Sequence, residues 1–332
     1  MPRQNRIDYP GSLHHIIVRG VGGEVIFTDD TDREDFLSHL SDKLLDTETP
    51  CYAWSLIPNH FHLLLVTGRI PISKIMQSVL TGYAIRFNHR RKRSGHLFQN
   101  RYKSILCERD AYFQELIRYI HLNPLRAGLV EDLKALDRYP WSGHAVLMNK
   151  RKAEFQKTDE VYRLFCRNRR EGRREYRKFI KQGLNEGVRE DLTGGGLIRS
   201  MGGWQEVLKM HKSKRRELSD ERILGHGDFV EKVLKSVEEM KTSDAALRDK
   251  GWTPERVLER VEEITGVCRK EIFRRSRREA HSRARAIACA WMVDCLGMRC
   301  IDVGKKLGLK QPAVSVNCRR GREYIEKDKL RL

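Results

Sequence analysis

The sequence predicts an α+β N-terminal domain, with an antiparallel sheet and helices, followed by an all-α C-terminal region that contains a helix-turn-helix. Two observations support this fold class. Short β-branched or apolar runs alternate with amphipathic stretches up to about residue 140, and beyond residue 250 the apolar residues recur at helical spacing. The domains we predict are 1–145, a helical connector at 146–250, and 251–332.

The elements of the N-terminal domain follow from local patterns. Strands are predicted at 13–19, 51–57, 60–66 and 97–107, and helices after the capping residues 29–32 and at 72–89 and 112–123. A turn at Pro58-Asn59 joins the second and third strands into a hairpin. Pro124 is expected to end the third helix at or near Asn123, because a proline disfavours the α conformation of the residue before it.

Two histidines on the third predicted strand form the first candidate site. Side chains on a strand alternate between faces, so His60 and His62 point the same way and their nitrogens could share one divalent ion. The alternative is a pair of polar residues that are hydrogen-bonded at a strand end. On the first strand, His14 and His15 are expected to be packed or surface residues rather than members of the site.

The third predicted helix carries a second candidate group. Tyr119 and Asn123 are four residues apart and share a face, whereas His121 points elsewhere. A phenol and an amide oxygen at one helix end could meet the histidine pair, the first as a nucleophile and the second as a third metal ligand. The alternative is a tyrosine that is only half-buried in a packed face.

Several motifs in a consistent order resemble the His-hydrophobic-His (HUH) single-tyrosine transposases, which are IS200-like, and specifically the REP-associated tyrosine transposases. They run from about Arg6 to Trp141 and comprise Pro10-Gly11, His15–Gly20, Ile26–Asp30, Pro58–Leu65, Phe98–Ser104 and Tyr119–Gly128. The resemblance implies a ferredoxin-like or RRM-like HUH fold in which His60 and His62 bind the metal, Asn123 completes the coordination and Tyr119 attacks.

The same resemblance implies an activity. It is metal-dependent cleavage and rejoining of hairpin-associated single-stranded DNA through a 5′-phosphotyrosine, with Mg²⁺ or Mn²⁺ as the ion. One alternative is a metal hydrolase that combines the histidines with Glu108 or Asp110. Another is a catalytically silent regulator that only binds DNA hairpins.

The composition favours a polyanionic partner. Lys+Arg number 65 against 45 Asp+Glu, which gives a net charge of +20 and a pI near 9.8. Nucleic acid is the first choice, since neutralised phosphates release counterions, and a membrane surface is the alternative. The sequence has no apolar run long enough to span a bilayer and no signal-peptide core at its start, so a cytoplasmic location is expected. The 8 cysteines form no Cys-x-x-Cys pair and are expected to be reduced thiols.

Two segments of the N-terminal domain are predicted to touch DNA. The second helix runs into Arg90, Arg91 and Arg93, which could follow a phosphate backbone or form a solvated face. The other segment consists of Arg101, Tyr102 and Lys103. It combines positive charge with an aromatic plane, as proteins that grip single strands do.

Near the C-terminus, helices at 301–307 and 311–320 flank the turn Gly308-Leu309-Lys310, which is a helix-turn-helix pattern. The packed pair leaves outward Lys310, Gln311, Ser315, Asn317 and Arg319.

The stretch from Val261 to Tyr324 resembles the C-terminal DNA-binding domain of the replication initiator DnaA. The residues that carry this resemblance are Thr265–Val267, Ser276–Arg278, Ala284–Ala288 and Ile301–Gly308. It implies that duplex DNA is held by the second helix and by a basic loop with Arg277 and Arg278. Gln311-Pro312-Ala313 replaces the initiator's acidic residue and histidine, so the initiator's target sequence does not carry over.

Overall fold

A computed structural model of the chain describes residues 6–185, 220, 222–236, 252–274 and 278–332. The chain divides into two compact units, Met1–Val233 and Leu234–Leu332. Within the described ranges, no helix is long and apolar enough to cross a membrane.

The N-terminal unit is built on a five-stranded sheet with the order β2-β3-β1-β4-β5. The strands are β1 (Leu13–Arg19), β2 (Cys51–Ile57), β3 (His60–Val66), β4 (Lys103–Cys107) and β5 (Ile223–Leu224). The first four pair in antiparallel fashion, as predicted, while β5 pairs with β4 in parallel. The sheet is therefore mixed, because a short segment from the predicted helical connector returns to its edge.

Helices cover both faces of this sheet. One face carries α1 (Asp30–Asp46) and α2 (Ile72–Arg90), and the other carries α3 (Arg109–Arg126), with α4 (Leu133–Arg138), α5 (Gly143–Leu147), α6 (Thr158–Arg163) and α7 (Arg169–Gln182) around it. A hydrophobic core lies on each face of the sheet, and alternate residues of β3 point into one or the other. Phe61 and Leu63 pack toward α1 and α2, and Leu64 packs toward α3. The α+β class predicted from sequence is confirmed.

The register between β1 and β3 decides which side chains share a face. His62 lies opposite Ile17, His60 lies opposite Arg19, and Leu64 lies opposite His15. Directly opposed residues point to the same side of a sheet. Since Leu64 belongs to the α3 core, His15, Arg19, His60 and His62 all point to the α3 face.

The helix α3 does not end before its proline. It continues to Arg126 with Pro124 inside it, so the predicted end at Asn123 was wrong. The last turn holds because the amide of Ala127 still donates to the carbonyl of Asn123, at 2.9 Å. A proline lacks an N–H and its ring crowds the carbonyl four residues earlier. Here the amides of Ala127 and Leu129 still donate to the carbonyls of Asn123 and Pro124, which keeps the last turn.

The predicted strand at 97–107 is shorter in the structure. Only Lys103–Cys107 forms β4, while the residues before it make isolated contacts with the end of β1. Phe98 forms a bridge with Gly20, and the amide of Gln99 donates to the carbonyl of Arg19 at 3.0 Å. The loop that precedes β4 is therefore anchored beside Arg19.

A buried polar network joins α3 to α5 and α7. The hydroxyl of Tyr176 lies 2.8 Å from Nδ1 of His121 and 2.7 Å from Nδ1 of His144. Nε2 of His144 lies 2.9 Å from Asp137, and Arg177 pairs with the same carboxylate. One hydroxyl can donate to one ring and accept from the other, so both imidazoles stay neutral and satisfied at Nδ1. Residues beyond 145 thus help to hold α3 in place.

The C-terminal unit is helical, as predicted. Its elements are α8 (Pro254–Thr265), α9 (Arg269–Phe273), α10 (Glu279–Asp294), α11 (Cys300–Leu307) and α12 (Gln311–Lys327). The turn between α11 and α12 begins at Gly308 in the left-handed conformation, with φ of 66°. A Cβ on Gly304 would come within 2.6 Å of the carbonyl oxygen of Leu309, so this tight turn requires glycine there.

Candidate functional site

The α3 face of the sheet brings the predicted catalytic groups together. The ring of Tyr119 lies edge-on to the ring of His62, with 5.8 Å between centroids, and the ring of His60 lies 5.2 Å from that of His62. Asn123 lies one turn beyond Tyr119 on the same helix and is buried. The phenol and the two imidazoles therefore meet, although they are far apart in the chain.

Hydrogen bonds orient both histidines of β3. Nδ1 of His60 lies 2.7 Å from Oδ1 of Asn59, which can only accept, so Nδ1 carries the proton. Nδ1 of His62 lies 2.9 Å from Nε2 of His15. When His62 also carries its proton on Nδ1 and donates it to His15, the Nε2 lone pairs of His60 and His62 are both available to a ligand. Metal-binding histidines usually donate their other N–H in this way.

His15 is a site residue that the sequence reasoning missed. Its ring stacks on that of His62 at 5.1 Å and lies 5.8 Å from that of Tyr119. The neighbouring His14 points to the other face, where its nitrogens meet the hydroxyls of Ser12 and Ser104. The only signal in the sequence was the alternation along β1. That signal cannot be used until the register with β3 is known.

Burial sets the protonation states of the site. It lowers the pKa of His60 to about 4, with a smaller contribution from the charge of Arg19. Burial also lowers the pKa of His62 well below its usual value, assisted by His15 and His60. Both rings are neutral at pH 7, as a metal ligand must be. For Tyr119, burial raises the pKa, while the charges of Arg126 and Arg19 oppose that rise.

The candidate donors are mixed, with two imidazole nitrogens and one amide oxygen. Within the described ranges, no group of three or more His, Cys, Asp and Glu side chains could hold a metal, so His60 and His62 need a donor of another kind. Nδ2 of Asn123 is buried without a hydrogen-bond partner, so the protein does not hold this carboxamide through its nitrogen. The amide can then offer its oxygen. These three groups are neutral, so a divalent ion that they held would keep its charge uncompensated.

The carboxylates of the alternative hydrolase lie elsewhere. Glu108 precedes the first turn of α3 and Asp110 lies in that turn, so the helical rise separates them from Tyr119 by roughly 16 and 14 Å. Glu108 also accepts hydrogen bonds from the backbone amide and the ring of His226, at 3.0 and 2.9 Å. Neither carboxylate lies near His60 and His62, so the metal site that the hydrolase alternative requires does not form.

The arginines at the end of α2 are engaged with acids of the N-terminal unit. Arg90 pairs with Asp32 and Asp35, Arg91 pairs with Asp29 and Asp32, and Arg93 pairs with Glu24. The side chain of Asp32 is fully buried, so its charge depends on these partners. The predicted phosphate-binding face is thus neutralised within the unit.

The predicted contact segment Arg101–Lys103 is only partly exposed. Arg101 and Lys103 are exposed, but Tyr102 is 7% exposed and its ring is covered by the guanidinium of Arg6 at 3.8 Å. The aromatic plane that we expected to stack on a base is therefore closed by a cation in this structure. The positive charge of the segment remains at the surface.

In the C-terminal unit, the predicted DNA-contact residues line the start of α12. Lys310, Gln311, Ser315 and Arg319 are exposed. Asn317 is half-buried and donates to the carbonyl of Ala313 at 2.9 Å, so it faces its own helix. Arg278 is exposed at the N-cap of α10, and Arg277 lies outside the described residues. The turn of the helix-turn-helix thus presents one polar face.

Comparison with known proteins agrees with this geometry. Residues 11–123 match the family model described as "Transposase IS200 like". The match includes both histidines of β3, Tyr119 and Asn123. This segment of the chain is similar to IS200-like transposases. The family resemblance inferred from the motifs is confirmed for this part of the chain.

One solved structure is also similar. It is described as "Structure of the REP associates tyrosine transposase bound to a REP hairpin". The alignment covers 45% of this chain and 87% of that chain, at 18% identity and a TM-score of 0.37. A TM-score this low does not establish a shared fold by itself. No protein with a curated description matches the chain.

Because the arginines at the end of α2 are paired with acids, replacing them should lower the stability of the fold rather than its affinity for DNA. Replacing both Arg90 and Arg91 by alanine leaves the buried carboxylate of Asp32 without its cations. The arginines are partly exposed, so we expect the free energy of unfolding to fall by about 2–4 kcal/mol. Chemical denaturation measures this change, and Arg101→Ala serves as the control with unchanged stability. Unchanged stability together with weakened DNA binding in the double variant would contradict the assignment.

Proposed function

We propose that the N-terminal unit is a metal-dependent endonuclease and strand transferase for single-stranded DNA, which cuts beside hairpins through a 5′-phosphotyrosine at Tyr119. The observation that carries the proposal is the approach of the Tyr119 ring to 5.8 Å from that of His62. The match of residues 11–123 to IS200-like transposases supports it as well.

In this proposal, His60, His62 and Asn123 hold one divalent ion, Mg²⁺ or Mn²⁺. When bound, such an ion polarises the scissile phosphate as a Lewis acid. Two imidazoles and an amide give no selectivity between Mg²⁺ and Mn²⁺. Because these donors carry no charge, the phosphate of the DNA supplies the negative charge that the site lacks. Metal and DNA should therefore strengthen each other's binding.

The chain's own groups carry out the displacement. The phenol oxygen of Tyr119 forms a bond to phosphorus and gives up its proton, while the bond from phosphorus to the 3′ oxygen breaks and that oxygen takes a proton. Arg19 and Arg126 oppose the effect of burial on the pKa of Tyr119, and the ring of Tyr119 lies 5.5 Å from Arg126. The phosphotyrosine link is itself a phosphodiester and keeps the energy of the broken bond, so another 3′-hydroxyl can displace the tyrosine and join two strands.

The substrate we propose is a DNA hairpin with an adjoining single strand, as the family resemblance implies. The net charge of +20 suits a polyanion. For the C-terminal unit we propose binding of duplex DNA through α12. The observed tight turn and the exposed polar start of that helix support this role, since a recognition helix meets base edges with its N-terminal residues.

Covalent capture tests the cleavage reaction. The full chain is incubated with Mn²⁺ and single-stranded oligonucleotides from the DNA that flanks its own gene, and a denaturing gel reveals the protein–DNA adduct. We expect an adduct with the wild type, none with Tyr119→Phe, and a large reduction with His60→Ala. Tyr112→Phe, two turns earlier on the same helix, is the matched control and should react as the wild type does.

Two results would reject the reaction. An adduct that persists in Tyr119→Phe would mean that another residue is the nucleophile. DNA binding without an adduct for every oligonucleotide would favour the catalytically silent regulator.

Because His15 contacts His62, replacing His15 should weaken metal binding selectively. His15→Ala removes the group that orients His62, so we expect the affinity for Mn²⁺ in the presence of DNA to fall by about 10–100-fold. Electron paramagnetic resonance of free Mn²⁺ measures this affinity. The control is His14→Ala, which removes an equally buried histidine from the opposite face. Equal affinities in the two variants would show that His15 does not orient a ligand.

The geometry of α12 predicts a charge contact with duplex DNA. Arg319→Ala should weaken duplex binding across all sequences and reduce the slope of affinity against salt by about one unit. Fluorescence anisotropy over a series of salt concentrations measures both quantities. Lys327→Ala removes one charge at the far end of the same helix and is the control. If the two variants behave alike, α12 does not enter the groove with its N-terminal half.

A further inference from the structure

Arg19 is the last residue of β1, and its side chain lies on the face of the sheet that carries the histidines. It is directly opposite His60 in the antiparallel pair of β1 and β3. The Cβ atoms of two residues paired in this way are roughly 5 Å apart and point to the same side of the sheet. The stem of the arginine therefore starts beside a candidate metal ligand, and its guanidinium is placed to reach a group held at the site.

Backbone contacts fix the position of this arginine. Its carbonyl accepts a hydrogen bond from the amide of Gln99 at 3.0 Å, and the amide of the next residue, Gly20, donates to the carbonyl of Asn59 at 2.9 Å. A Cβ on Gly20 would collide with the carbonyl oxygen of Glu24, so only glycine lets the chain turn this closely after β1. The end of β1 is therefore held in place, and the side chain of Arg19 is the part that can follow a ligand.

The charge of Arg19 is available to an anion. The side chain is exposed, and it forms no ion pair or hydrogen bond with the described residues. The arginines at the end of α2 differ, because each of them faces an acid. The candidate metal ligands beside Arg19 are two neutral imidazoles and an amide, which do not compensate its charge. An anion that enters the site therefore meets a cation without a partner among the described residues.

The electrostatic effect of Arg19 reaches both the histidines and the tyrosine of the site. Burial lowers the pKa of His60, and the charge of Arg19 lowers it further. Burial raises the pKa of Tyr119, and the charges of Arg126 and Arg19 oppose that rise. A charge that acts on a candidate metal ligand and on the candidate nucleophile lies close to the space between them. The attacked phosphate must occupy this same space, because the phenol oxygen has to reach phosphorus.

We propose that Arg19 is a further catalytic residue, which binds a non-bridging oxygen of the phosphate that Tyr119 attacks. This inference rests on the proposed function. A guanidinium forms charge-assisted hydrogen bonds to phosphate, often through two parallel N–H groups. Negative charge develops on the non-bridging oxygens during the displacement, so the contact strengthens in the transition state. Arg19 thus supplies a positive charge at the phosphate that comes from the chain itself.

The rate of adduct formation tests this role. Single-turnover reactions of the full chain with saturating DNA and Mn²⁺ compare Arg19→Ala with Arg69→Ala, which removes an exposed arginine without a described ion pair beyond the other end of β3. We expect Arg19→Ala to lower the rate about 100-fold. Arg69→Ala should react as the wild type does. Arg19→Lys keeps the charge but loses the planar fork, so it should recover only part of the rate. Equal rates in the two alanine variants would overturn the proposal.

A change in the DNA locates the contact. A methylphosphonate replaces one non-bridging oxygen by an uncharged methyl group, and it is placed at one phosphate at a time. For one stereoisomer at the cut phosphate, we expect the wild type to lose as much rate as Arg19→Ala loses on unmodified DNA. Arg19→Ala should then lose nothing further, because effects of groups in direct contact do not add. A second full loss in the variant, or coupling at a neighbouring phosphate instead, would show that Arg19 does not hold the attacked phosphate.

Binding measurements separate this proposal from the cleavage proposal. Affinity is measured with Mn²⁺ and with excess unrelated duplex to occupy the C-terminal unit. If the wild type forms the adduct but no methylphosphonate position couples to Arg19→Ala, the role of Arg19 fails and the cleavage proposal stands. If no oligonucleotide gives an adduct, but one methylphosphonate position removes the effects of both Arg19→Ala and His60→Ala on affinity, Arg19 holds the phosphate at the histidines and the cleavage proposal fails. If neither an adduct nor coupling appears, both proposals fail.

Discussion

The pairing of β1 with β3 is the constraint on which the site depends. In this register His15 and His62 lie on one face, and Nε2 of His15 comes within 2.9 Å of Nδ1 of His62. Both rings lie 5.8 Å from the ring of Tyr119. A slip of one residue would send every side chain of β1 to the opposite face. His15 would then lie among the apolar residues of α1 and α2, and Arg19 would leave the site. The register is held because Ile16, Val18, Phe61 and Leu63 fill the other core.

The helix α3 is positioned from both of its sides. On one side it presents Tyr119 to the histidines of the sheet, and on another side Nδ1 of His121 lies 2.8 Å from the hydroxyl of Tyr176. The hydroxyl of Tyr176 pairs with Nδ1 of both His121 and His144, whereas Nε2 of His121 is buried without a hydrogen-bond partner. The paired atoms fix the orientation of the helix. Residues well beyond the matched family segment therefore take part in holding the phenol where the imidazoles can meet it.

The net charge of the chain is a poor guide to where DNA would lie. The densest run of cations, at the end of α2, is bound to acids of α1 and to Glu24. The exposed cations elsewhere are sparser. Arg101 precedes β4, Lys103 is its first residue, and others lie at the start and middle of α12. The paired arginines stabilise the fold around the buried carboxylate of Asp32, whereas Arg101 is exposed and forms no ion pair with the described residues.

The sequence by itself determined the α+β class, the hairpin that carries the histidines, the shared face of Tyr119 and Asn123, and the helix-turn-helix. Each follows from a period of 2 or 3.6 residues or from a residue with a fixed backbone preference, and these are local properties. Only the tertiary structure decided that His15 belongs to the site, that the arginines of α2 are neutralised, that Arg6 covers Tyr102, and that β5 closes the sheet edge. These outcomes depend on strand register and on contacts between residues far apart in the chain, and local patterns carry no information about either.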